Sequence, residues 1–151
     1  MPSSSSHLVV ATKIHVHCFT DSPEFAQRLL AHFPNLYIGI TGVVSYATNL
    51  HTSALLRHMA APNADAAAPD TNAGPDGSGS GPRILLETDA PFMVPSNIYA
   101  SLPALKGRLP LCHTAMIPWV AEFAAGVVGG GWGPADVMVR ANENARAVYG
   151  I

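Results

Sequence analysis

Two histidines two residues apart, His15 and His17, and a Glu-Thr-Asp triplet at 87–89 carry most of the chemistry available to this chain. Imidazole nitrogen and carboxylate oxygen are the usual protein ligands of a hydrolytic divalent metal ion. His17 comes at the end of one apolar run and Asp89 at the end of a later one, so the pair to consider is His17 with Asp89. Each also has a plainer reading. The histidines fit as core groups with satisfied hydrogen bonds, and Asp89 fits as the start of a turn before Pro91. Other chemistries lack their motifs. There is no G-x-x-x-x-G-K-[ST] phosphate loop, no G-x-G-x-x-G after a strand and no G-x-S-x-G nucleophile elbow. Cys18 and Cys112 are not spaced as C-x-x-C and make no disulfide framework, which points to a reducing compartment. Cys18, inside an apolar run, reads as a small buried residue.

The elements that must position these residues follow from hydrophobic periodicity. In the run 83–86, Ile84, Leu85 and Leu86 are apolar on both faces, as in a parallel strand covered on both sides. Polar residues follow at once, and Ala90-Pro91 cannot continue a central strand, so Asp89 is placed where strand gives way to loop. In parallel α/β folds that edge carries the chemistry. Residues 14–18 predict an earlier strand with Ile14, Val16 and Cys18 on one face and His15 and His17 on the other. Ser22 as N-cap, Pro23 at the first helical position and Glu24 in the first turn start a helix with a stripe of Phe25, Ala26, Leu29, Leu30 and Phe33. Residues 36–41 predict a strand in which Gly39 signals close approach of another group. Helical spacing returns over 49–60 through Leu55, Leu56 and Met59. This alternation predicts βαβ units and a parallel sheet.

Residues 61–82, rich in Ala, Pro, Asp, Asn, Gly and Ser, cannot bury enough surface to offset chain entropy and predict a disordered insert. Either flank alone would be marginal as an independent core, so the insert belongs inside one domain. Residues 1–12 read as a disordered lead and 13–151 as the folded part. A Pro-rich loop over 92–111 carries Lys106 and Arg108. From Thr114 an amphipathic helix presents Met116, Trp119, Val120, Phe123, Ala124 and Val127, and Gly129 to Gly131 stops it. A last helix opens at Pro134, with a break expected near Asn142 and with Val148 and Tyr149 packed inward.

A formal net charge of −2 excludes binding of nucleic acid through bulk positive charge, although a bound metal can supply positive charge locally. No run approaches the length of a membrane span, and the start lacks a secretory signal, so the expected setting is intracellular and cytoplasmic, without a membrane partner.

Several motifs in series resemble one family. H-C-F-T-D-S-P-E-F-A at 17–26, Y-I-G-I-T-G at 37–42, I-L-L-E-T-D-A-P-F at 84–92 and N-E-N-A-R-A-V-Y-G at 142–150 are similar in order and spacing to the C-terminal portion of the TatD-type metal-dependent deoxyribonucleases. The resemblance covers residue 13 to the C-terminus apart from the insert. It implies an α/β fold, a TIM-type (βα) barrel of which the last three βα units are here. It also implies a divalent metal cofactor (Mg, Mn or Zn), DNA as substrate and 3'-5' exonuclease-like cleavage of phosphodiester bonds. By position, His17 and Asp89 match metal ligands, with Asp89 also catalytic, while Glu87 supports and His15 has no counterpart. The family's H-x-H, a glutamate and a further histidine from its earlier strands have no counterpart here. A truncated chain with impaired activity is therefore expected. The alternative is an inactive half-barrel that self-associates or pairs with a complementary half through its open edge.

Overall fold

The structure is a computed structural model, and it describes residues 12–60 and 81–151. Most of the expected insert, and all of the expected lead except Thr12, lie outside the described residues. Three parallel strands form one sheet in the order β1-β2-β3: β1 (Ile14–Val16), β2 (Leu36–Ile40) and β3 (Ile84–Leu86). Ile14 pairs with Leu36, Ile38 with Ile84, and Ile40 with Leu86.

Alternation along these strands separates two faces. Leu36, Ile38, Ile40 and Ile84 join one core with residues of α1 (Pro23–His32), α2 (Leu50–Ala60), α4 (Ile117–Val128) and α5 (Pro134–Tyr149). The opposite face presents His15, Tyr37, Gly39 and Leu85. Leu85 is also buried, as expected of a strand apolar on both sides. A short helix α3 (Ile98–Ser101) interrupts the expected loop and sits in a second small core with Cys112 and Met116.

Helix α1 starts as its sequence dictates. The Ser22 hydroxyl accepts the Phe25 N–H, and Pro23 occupies the first turn. Its C-terminus is closed from a distance. The Arg83 guanidinium, buried beside β3, donates to the carbonyls of Leu30 (2.6 Å), Phe33 (3.0 Å) and Pro34 (2.7 Å). A cation there also faces the negative end of the helix dipole. Helix α5 is fastened to β3 by Asn144, whose amide donates to the carbonyls of Pro82 and Ile84.

Several expectations are corrected. Strand β1 ends at Val16 rather than at residue 18, and Cys18 is half-buried with φ +46. The cause is a group distant in sequence: the Cys18 N–H is taken by the Glu87 carboxylate instead of a strand neighbour. Phe25 is 42% exposed, so the buried side of α1 rests on Ala26 and Leu30. No break occurs at Asn142; α5 is continuous because Val137, Ala141 and Asn144 bury one helical face through that point. Tyr149 is exposed rather than packed inward. Gly81 and Pro82, counted with the insert, are buried, and a Cβ on Gly81 would meet the Arg140 guanidinium at 2.6 Å. The constraint comes from α5, which a local composition cannot reveal.

Candidate metal centre at the C-terminal edge of the sheet

The residues with chemistry converge where β1 and β3 run out. His15 lies within β1 and His17 just beyond it, both turned toward Glu87, which follows β3 directly. Glu87 can reach across β2 because the residue beneath it is Gly39. A Cβ there would lie 2.6 Å from the carboxylate, so the close approach expected at Gly39 is made by this side chain.

Glu87 organises the cluster. Its Oε2 accepts the Cys18 N–H at 3.0 Å and lies 2.9 Å from His17 Nδ1, while its Oε1 faces His15 Nε2. On its far side, His15 Nδ1 lies 2.6 Å from the Tyr149 hydroxyl, so the C-terminal helix reaches the site through one phenol. His15 Nε2 is buried and makes no hydrogen bond of acceptable geometry, despite its closeness to Glu87.

Asp89 stands at the strand-to-loop transition where the sequence places it, with φ +53. Its Oδ1 is 3.4 Å from His17 Nε2. The plainer turn role is present too: the Asp89 carbonyl accepts the Phe92 N–H at 2.9 Å, and a cis Ala90-Pro91 peptide lies within that turn. Between Glu87 and Asp89, the His17 imidazole has its pKa raised above the usual histidine value. The main cause is its hydrogen bond to Glu87, then the charge of Glu87 and of Asp89, with burial opposing.

The donor set fits a divalent ion. Protein nitrogen and oxygen ligands sit about 2 Å from zinc, so two of them on one ion lie no more than about 4 Å apart. His17 Nε2 and Asp89 Oδ1 meet that condition. With its Nδ1–H donated to Glu87, His17 turns the Nε2 lone pair toward Asp89, the carboxylate–histidine arrangement that orients metal ligands elsewhere. His15, His17 and Glu87 also each offer a ligand atom within 4.8 Å of the others. The supporting place the resemblance gives Glu87 agrees with its contacts to His17 and Cys18, whereas the nearness of His15 to Glu87 was not apparent in sequence, although the H-x-H spacing on one strand face was the available signal.

The Cys112 thiol is no candidate nucleophile, since burial raises its pKa. Arg108 lines a surface groove beside the site, whereas Lys106 is exposed in the same loop. Among the described residues no helix is long and apolar enough to cross a membrane.

No family model matches the chain. It is 32% identical over 90 residues to the human (Homo sapiens) 3'-5' RNA nuclease TATDN2, covering 60% of this chain and 9% of that protein. Its structure resembles the crystal structure of an uncharacterized amidohydrolase from Saccharomyces cerevisiae, with a TM-score of 0.55 and 17% identity over 90% of this chain and 40% of that one. At that identity the likeness concerns the fold alone. The chain thus spans a small part of its curated relative and less than half of its structural neighbour.

Proposed function

We propose that this chain, which has a TatD-type relationship to known nucleases, carries part of a divalent-metal phosphodiesterase site built from His17 and Asp89. The observation that supports it is the convergence of those two side chains at the C-terminal edge of a parallel sheet, with Glu87 orienting the imidazole. The three strands then correspond to the last three βα units of a TIM-type barrel, whose ligands come from the ends of several strands.

When bound, the ion would supply a polarised water and stabilise charge developing on the phosphoryl oxygens. The protein's own groups have separable tasks. His17 presents neutral Nε2. Glu87 holds the proton on Nδ1 and ties the turn after β1 to β3 through Cys18. Asp89 accepts the proton released by the attacking water.

The substrate class is nucleic acid. The motif resemblance favours DNA, and the curated relative is named for RNA. The test incubates the purified chain, alone and with candidate complementing chains, with single-stranded DNA and RNA and Mg²⁺, Mn²⁺ or Zn²⁺. Calorimetry measures metal affinity in parallel. Asp89→Asn and His17→Ala are expected to lose both hydrolysis and metal binding, whereas His15→Ala keeps most of the affinity. Hydrolysis that survives Asp89→Asn overturns the role given to Asp89.

A second reading has its own support. Strands β1 and β3 are both edges among the described residues, and an apolar cavity of about 630 Å³ runs beside β3, flanked by Met138, Val139 and Tyr149. An interaction module would use that edge to pair with itself or with a complementary half. Light scattering decides it: a monomer at every concentration, with no change on adding such a half, removes this reading.

A further inference from the structure

We infer that the groove beside Asp89 is a nucleotide-binding subsite for single-stranded nucleic acid, with Phe92 stacking a base and Arg108 holding the adjoining phosphate. The inference rests on the phosphodiesterase reading above, and it concerns residues that the metal site does not use.

The groove has a volume of about 530 Å³, within the range of roughly 300–1,000 Å³ typical of small-molecule sites. It begins one turn from the candidate ligand: the Asp89 carbonyl accepts the Phe92 N–H, and Phe92 lines the groove. Phe92 is 68% exposed, an aromatic ring left in solvent at the lip of a cleft. Such a ring costs free energy in water and gains it by stacking on a base, whatever the base.

The rest of the groove selects charge. Arg108 lines it and, among the described residues, no carboxylate does. The Arg108 guanidinium carbon lies 6.0 Å from the centre of the Tyr99 ring, which steadies the side chain over one aromatic face. Tyr99 is itself held, its hydroxyl accepting the Leu109 N–H at 3.1 Å, so the residue next to Arg108 is pinned to the ring that supports it. The Cys112 N–H donates to the Pro91 carbonyl at 2.8 Å and braces the two ends of the loop against each other. An aromatic ring one turn from the candidate carboxylate and a planar cation lining the same groove match one base and one phosphate of a strand. A duplex keeps its bases stacked internally and offers Phe92 nothing.

The test is fluorescence anisotropy of the full chain with a labelled single-stranded oligonucleotide in excess EDTA, so that binding is read without metal or hydrolysis. Phe92→Ala is expected to weaken binding about tenfold and Phe92→Trp to preserve it. Arg108→Gln is expected to flatten the dependence of log affinity on log salt by about one phosphate contact. Binding of duplex as tight as single strand, an unchanged affinity in Phe92→Ala, or no oligonucleotide binding at all would each overturn the subsite. None of these outcomes touches the metal-site reading, which stands or falls on calorimetry with His17→Ala and Asp89→Asn.

Discussion

Glu87 has three partners, and its neighbours show what removing it would do. Its hydrogen bond and its charge are the leading causes of the raised His17 pKa. A group whose charged form is favoured in the folded state contributes stability that is complete below its unfolded pKa and is lost as pH rises through the folded one. For metal-free protein that window opens at the ordinary value of 6.5 and extends upward. NMR titration should therefore show His17 with a midpoint above 6.5 and Glu87→Gln with a lower one; a midpoint unmoved by the substitution would mean that Glu87 is not the cause. Metal affinity should run the opposite way and strengthen with pH as the proton leaves. The residue beneath Glu87 is as restrictive. Gly39→Ala puts a Cβ 2.6 Å from the carboxylate, so Glu87 must turn away. The expected result is a His17 midpoint shifted toward that of Glu87→Gln, with helix content unchanged by circular dichroism.

At the scale of elements, the ends of strands and helices are settled by groups far away in sequence. Helix α1 begins with a local signal, Ser22 and Pro23, but its last carbonyls are satisfied by Arg83. Hydrogen bonds from a charged donor are worth about 1.5–3 kcal/mol, and stranding buried acceptors costs more than the mean bond. Arg83→Met should lower unfolding free energy by about 2–4 kcal/mol in a denaturant titration; a loss under about 0.5 kcal/mol would mean that water replaces the guanidinium. Strand β1 stops early because Glu87 captures the Cys18 amide. Helix α5 links to the site through Tyr149. Tyr149→Phe removes only the hydroxyl that meets His15 Nδ1, so the His15 ring resonances should move in the NMR spectrum while those of His17 stay in place.

For the molecule as a whole, one core holds the sheet against four helices, and the last of them is integral to it. Val137 joins that core, Ala141 and Asn144 are buried, and Asn144 supplies donors to Pro82 and Ile84. Ending the chain at Gly133 should abolish cooperative unfolding rather than trim a dispensable tail. A sharp single transition in the shortened chain would show that α5 is an appendage. The opposite face of the sheet contributes less to cohesion, and the candidate ligands gather at the ends of β1 and β3, which are edges among the described residues.

Local signals were enough for the order of the strands and the longer helices, the cap of α1 and the parallel sheet, because periodicity, proline and capping residues act within a few positions of themselves. They also placed Asp89 at a strand end and picked out His17, since polar residues closing an apolar run have few other places to go. What they could not reach were interactions across the fold. The ring of partners around Glu87, Arg83 capping a helix from the far side of residues 61–80, the buried Gly81 and Pro82, and the phenol of Tyr149 against His15 each join residues more than 45 positions apart. Such pairings are set by which strands lie side by side and which helix crosses them, so only the tertiary structure decided them.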